Sequence, residues 1–220
     1  MHSLLGISEV WHDPEPHVRR VGTLIAAVLL MEAAARILSS RVRFDPLIIL
    51  AVTRSLEAIL LLVLGPWSFR GPRARQAWAG SVLLAMALPA LGMGVLLVWV
   101  HGLHLPIFGL PRSPSPPEPG WPLFLFTAAI ASPLTEELVF RGLLYRSLRT
   151  RFSSLFATGM VSTGFALLHL PFGGQFLVPL AGSIVFCVGY EKEKTILAPI
   201  LLHVSGNLVI FLSPFWLFQT

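Results

Sequence analysis

The chain has 220 residues, of which 55% are hydrophobic and only 12% charged. Soluble domains carry about a quarter charged residues, so this composition, with a mean hydropathy of +0.75, excludes an ordinary soluble enzyme. It points to an all-α, polytopic membrane helical bundle. The net charge is +5, but the basic residues sit in short connectors between apolar runs, which is a topology signal and argues against nucleic acid as a partner.

Residues 1–20 carry Glu9, Asp13 and Glu15 with His2, His12 and His17. They lack the basic and apolar regions of a signal peptide and read as an N-terminal cytoplasmic tail. Seven candidate transmembrane spans follow, at about 21–38, 46–64, 77–100, 121–146, 153–170, 174–190 and 196–218, each near the roughly 20 residues needed to cross a bilayer. Glu32 and Arg36 in the first span, and Arg54 and Glu57 in the second, are at helical spacing and are expected to pair along their own helices. Residues 101–120 are rich in proline (Pro111, Pro114, Pro116, Pro117, Pro119) and read as an extended loop. Residues 21–120 therefore form accessory spans and a Pro-rich loop, and 121–220 form the unit that carries the chemistry. No internal repeat is evident, which weighs against an inverted-repeat transporter.

One set of alternate connectors holds Arg19, Arg20, Arg70, Arg73, Arg75, Arg146, Arg149, Arg151, Lys192 and Lys194, and the other holds Arg41, Arg43 and Arg112. The larger set faces the cytoplasm, so the N-terminus is expected inside and the C-terminus outside. Lys192 and Lys194 are the only lysines among sixteen basic residues. That skew towards arginine points to a GC-rich bacterial genome and hence to a bacterial inner membrane. Cys187 is the sole cysteine, so it forms no intrachain disulfide, and it reads as a small apolar filler.

The fourth span contains the adjacent carboxylates Glu136 and Glu137, followed by Arg141. Ionisable groups at membrane depth cost several kcal/mol and mark function by default. Neighbouring helical residues point about 100° apart, so the two carboxylates are expected to serve different partners. Glu137 and Arg141 are four apart and should pair as a brace, which leaves Glu136 to face another cavity as a general base. Pro133 brings backbone irregularity close to Glu136, and Ser132 could cap a helix that begins at Pro133. His169 closes the fifth span. His203 and Asn207, four apart on one face, lie in the seventh.

Two chemistries fit Glu136, His169, His203 and Asn207. In one, Glu136 and the histidines deprotonate a water that attacks a peptide carbonyl, while Asn207, helped by His203, donates to the developing oxyanion. In the other, Glu136, His169 and His203 ligate a divalent metal such as zinc. The tight His-Glu-x-x-His spacing of zinc proteases is missing. A proton-coupled membrane carrier and a non-catalytic immunity or scaffold protein are the alternatives from other functional classes.

Glu136-Glu137-x-x-x-Arg141, Phe165-x-x-x-His169 and His203-x-x-x-Asn207 resemble, in order, the three motifs of the CPBP intramembrane proteases. These comprise the type II CAAX prenyl proteases and their bacteriocin-processing relatives. The resemblance covers about residues 121–218. It implies a helical membrane bundle with a water-accessible site, in which Glu136 assisted by His169 activates water. It also implies that His203 and Asn207 form the oxyanion site and that Glu137, Arg141 and Phe165 support it. The implied substrate is a membrane-anchored protein or peptide cut near a C-terminal membrane segment. Metal-dependent and glutamate mechanisms both stay open. Glu136 lies mid-span and His169 near a span end, so a tilt, a kink or a deeper start of the fifth span is needed for them to meet.

Overall fold

The computed structural model describes residues 18–67, 120–170 and 176–212, with positions 82, 87 and 91. The N-terminal tail up to residue 17, most of the expected span at 77–100 and the Pro-rich loop lie outside the described residues. Within them the protein is all-helical, with no strand. The helices are α1 (Val18–Arg41), α2 (Pro46–Leu64), α3 (Trp121–Arg149), α4 (Ser154–His169), α5 (Leu177–Glu193) and α6 (Leu197–Leu212).

Among the described residues, only α1, α2 and α3 are long and apolar enough to cross a membrane. They match the first, second and fourth expected spans and, with the composition, mark a membrane protein. The expected spans at 153–170, 174–190 and 196–218 resolve into helices of 16, 17 and 16 residues. At 1.5 Å per residue α4 and α5 are about 25 Å long, short of the roughly 30 Å hydrocarbon core, and the described part of α6 is of similar length.

Local chemistry sets the helix ends. Asp45 accepts a hydrogen bond from the Leu47 amide at 2.7 Å and Pro46 opens α2, the arrangement a helix N-terminus favours. Ser153 accepts from the Phe156 amide to start α4. α5 ends at Lys194 in the left-handed conformation, φ 53°. The side chain of Thr195 then accepts from the Leu197 amide at the start of α6.

α3 is continuous, but Phe126–Ala131 and Leu138–Tyr145 are π-helical. Such widened turns are rare and concentrate at functional sites. Ser132 does not cap a helix: it has helical φ and ψ, its side chain makes no capping bond, and α3 runs straight through it. Pro133 is absorbed by the widened turn just before it. The Ser132 amide reaches back five residues to the Thr127 carbonyl. Pro133, lacking an N–H, cannot continue that series to Ala128.

The interior is an apolar core around Leu61, Leu138, Leu143, Tyr145 and Tyr190 that also encloses charged side chains. Glu57, Glu137 and Arg141 are fully buried, while Leu155 and Leu177 are 83% and 75% exposed. Outward apolar faces around an interior that holds buried charge suit lipid as the surrounding solvent. α3, α4 and α6 converge on the polar centre. α5 packs against α4 and α6, and α2 packs along α3. Trp67, just after α2, donates from Nε1 to the Leu61 carbonyl at 2.6 Å. Its ring covers Gly142, occupying the space a Cβ there would need.

The expected pairing of Glu32 with Arg36 gives way to a contact between helices. Arg54 binds Glu57 on its own helix at 2.9 Å and Glu32 of α1 at 2.6 Å. A guanidinium offers five donors in a planar fork and can hold two carboxylates at once.

Candidate active site

The meeting of Glu136 and His169 follows from helix length. α3 and α4 are joined by only Thr150–Ser153, so they run back alongside each other. Arg149 lies about 20 Å along α3 from Glu136, and the whole of α4 is about 24 Å long. α4 therefore stops at the depth of Glu136, and its last residue is His169. Phe140 and Phe165, one turn towards the connector, pack edge to face at 5.0 Å. Neither a kink nor a deeper start is needed.

Glu136 Oε2 lies 4.0 Å from His169 Nε2 and 3.9 Å from His203 Nε2. The side chains of Glu136, His169 and His203 are 19%, 34% and 7% exposed, so the group is enclosed and opens on the His169 side. His169 Nδ1 lies 2.8 Å from the Phe165 carbonyl. His203 Nδ1 lies 2.8 Å from Glu137 Oε1. A carbonyl and an ion-paired carboxylate only accept, so each Nδ1 carries a proton and each ring turns its Nε2 towards Glu136.

Glu137 forms the floor. Its Oε1 accepts from Arg141 Nη1 at 2.8 Å as well as from His203. Arg141 also donates from Nη2 to the carbonyl and Oγ of Ser183 on α5. Its guanidinium carbon sits 5.0 Å from the Phe165 ring and 5.2 Å from that of Phe186, a distance suited to cation–π attraction. Phe186 stacks on His203 with centroids 4.6 Å apart, and Phe165 lies against both histidines.

Each residue singled out in the sequence lies in this region. The expectation that the two carboxylates serve different partners fails at His203, whose Nδ1 engages Glu137 while its Nε2 faces Glu136. The imidazole carries nitrogens on two edges, which lets one ring span two carboxylates that point apart.

Asn207 shares a helix face with His203 but binds elsewhere: its Nδ2 donates to the Ala128 carbonyl at 2.9 Å. That carbonyl is the one left open by Pro133 in the five-residue register. The amide nitrogen has two hydrogens, so the second is free of this bond and available to a neighbouring oxygen. Ala128, Ser183 and Phe186 were not among the residues that sequence pattern singled out. Ser183 is a small polar residue in an apolar segment, a faint signal in retrospect.

The three groups that could hold a metal are right in kind, because a carboxylate and two imidazole lone pairs are zinc donors. Their spacing is not. Tetrahedral zinc with bonds of about 2.0–2.1 Å places adjacent donors about 3.3 Å apart, against the 3.9 and 4.0 Å here. Among the described residues no three such side chains are arranged to hold an ion.

Comparison with known proteins agrees in extent with this site. Residues 118–209 match the family model described as Rce1-like, the type II CAAX prenyl endopeptidases. The chain is 33% identical over 93 residues to UPF0177 protein YbdJ of Lactococcus lactis, covering 40% of each protein. It is 32% identical over 99 residues to the membrane-embedded CAAX protease MroQ of Staphylococcus aureus, covering 41% of this chain and 39% of that protein. The chain thus spans about two-fifths of the length of the curated relatives it matches. No solved structure matches it. Glu136, Glu137, Arg141, Phe165, His169, His203 and Asn207 all lie within the segment that resembles the Rce1-like type II CAAX prenyl endopeptidases.

Proposed function

We propose that the protein is an intramembrane endopeptidase that hydrolyses a peptide bond in or near a membrane-anchored, C-terminal segment of a protein or peptide. The observation that carries this reading is the convergence of Glu136 Oε2 with two imidazole Nε2 atoms at 3.9 and 4.0 Å. Those separations are too long for direct hydrogen bonds and suit a water molecule bridging the groups.

In the proposed reaction that water gives a proton to Glu136 as its oxygen bonds to the scissile carbonyl carbon. His169 orients the water. The carbonyl oxygen becomes an oxyanion near His203 and the second N–H of Asn207, and donors preorganised there are worth most where water is excluded. To donate from Nε2, His203 must carry a second proton, and Glu137 holds its Nδ1–H in place. When the C–N bond breaks, Glu136 passes its proton to the leaving nitrogen, giving a carboxylic acid and an amine. Glu137, Arg141 and Phe165 hold the ring of His203 and touch no reacting atom. No step requires a metal.

The setting proposed is a bacterial cytoplasmic membrane with the N-terminus inside, supported by the distribution of basic residues and by bacterial relatives. The test is cleavage of prenylated and unprenylated membrane-anchored peptides by protein reconstituted in vesicles. Glu136→Gln and His169→Ala are expected to lower the rate by about 10²–10⁴-fold while remaining folded, and chelators should leave the wild-type rate unchanged. Full activity in Glu136→Gln overturns the reading. Chelator inhibition reversed by zinc overturns its metal-free form.

A further inference from the structure

A second group of buried charges lies outside the three motifs, on the accessory helices. Glu57 is fully buried. One of its oxygens binds Arg54, and the other, Oε1, has no hydrogen-bond partner among the described residues. Arg54 is shared with Glu32 of α1, whose side chain is 23% exposed. Among the described residues, one guanidinium thus stands against two carboxylates between two membrane-spanning helices. Burying a net charge there is costly, and the carboxyl that loses least by neutralising is the more enclosed one. Nor is the cluster isolated from the candidate active site. Thr135, the neighbour of Glu136, donates from Oγ1 to the carbonyl of Arg54 at 3.0 Å, which ties the two clusters together.

We propose that Glu57 is a buried, proton-carrying carboxylic acid, held by Arg54 and Glu32, that acts as a positioning residue for Glu136 through its charge. The proton sits on Oε1. When it leaves, a negative charge appears beside Glu136 and changes the electrostatic cost of the proton that Glu136 carries during hydrolysis. Among the described residues, the charged groups bearing on Glu57 are Glu32 from α1, Arg54 from its own helix and Glu136 from α3. This proposal rests on the reading of Glu136 as the general base.

Infrared difference spectra across a pH titration, recorded without substrate, test the proton directly. A carboxylic-acid carbonyl band should fade as pH rises and be missing in Glu57→Gln, which keeps the side-chain shape. In Glu32→Gln, Arg54 serves Glu57 alone, so the band should fade at lower pH. A band unchanged in Glu57→Gln, or unmoved in Glu32→Gln, overturns the assignment. The pH dependence of kcat/KM should show one more ionisation in the wild type than in Glu57→Gln, and identical profiles overturn the coupling to Glu136. Absence of proteolysis from the wild type would instead count against the endopeptidase reading, leaving the infrared band to decide on Glu57.

Discussion

At the scale of single residues, the geometry turns on groups that must be satisfied because water cannot reach them. Arg141 neutralises Glu137, and with Ser183 it fixes the carboxylate that holds His203. Arg141→Met leaves Glu137 buried without its counter-charge, and breaking a buried pair on one side costs about 3–5 kcal/mol. Unfolding of the purified protein in detergent should show a loss of that order. The link between Pro133 and Asn207 is subtler. Asn207→Leu strands the Ala128 carbonyl, at about 1–3 kcal/mol. In a Pro133→Ala background the restored N–H can take that carbonyl, so the same substitution should cost less. A double-mutant cycle measures the difference, and strict additivity would refute the link. The motif residues were legible in the sequence because charge and imidazole stand out in apolar helices. This link was not, because it depends on a five-residue backbone register that only the folded helix reveals.

At the scale of elements, the connector after α2 works as a clasp on α3. Trp67 lies on Gly142, and Arg146 Nη1 reaches the Pro66 carbonyl at 3.5 Å. Gly142→Val pushes a branched side chain into a rigid indole, and overpacking of this kind costs about 1–3 kcal/mol. Thermal unfolding should register that loss, and Trp67→Ala should relieve it in the double variant. A Gly142→Val protein as stable as wild type would show that the clasp yields freely. Helix identity was readable from apolar runs for α1, α2 and α3. The fifth span, expected at 153–170, matches α4 within a residue or so, whereas α5 is displaced by three residues from the expected 174–190, because apolar composition alone does not mark where that helix starts. Pairing of Glu32 across to Arg54 escaped for a related reason: spacing along one helix says nothing about which neighbour lies closer.

At the scale of the whole molecule, the base of the α3–α4 hairpin is tied to α5 by Glu191, which binds Arg149 and Lys194 and accepts from Tyr145 Oη at 3.0 Å. Burial alone would raise the Glu191 carboxyl, but hydrogen bonds from Lys194 and Arg149 and their charges prevail and hold it below the ordinary carboxylate value. A carboxylate lowered in the folded state contributes stability that is complete above its unfolded pKa of about 4.3. That contribution is lost as pH falls through the lowered folded value. Thermal stability of the wild type should therefore drop on acidification through this range more steeply than that of Glu191→Gln. Parallel curves would rule out the tie as a source of acid sensitivity. The same hairpin acts as a ruler. Its closed end is marked by Arg149, its open end by His169, and the number of residues between fixes where Glu136 is met. One extra residue in α4 would swing His169 by about 100° and dissolve the meeting, whereas seven added to both arms would preserve it about 10 Å further from the base. Under the proposed endopeptidase reading, the depth of the reacting site would then be a property of chain length, open to adjustment by insertion without touching a single reacting group.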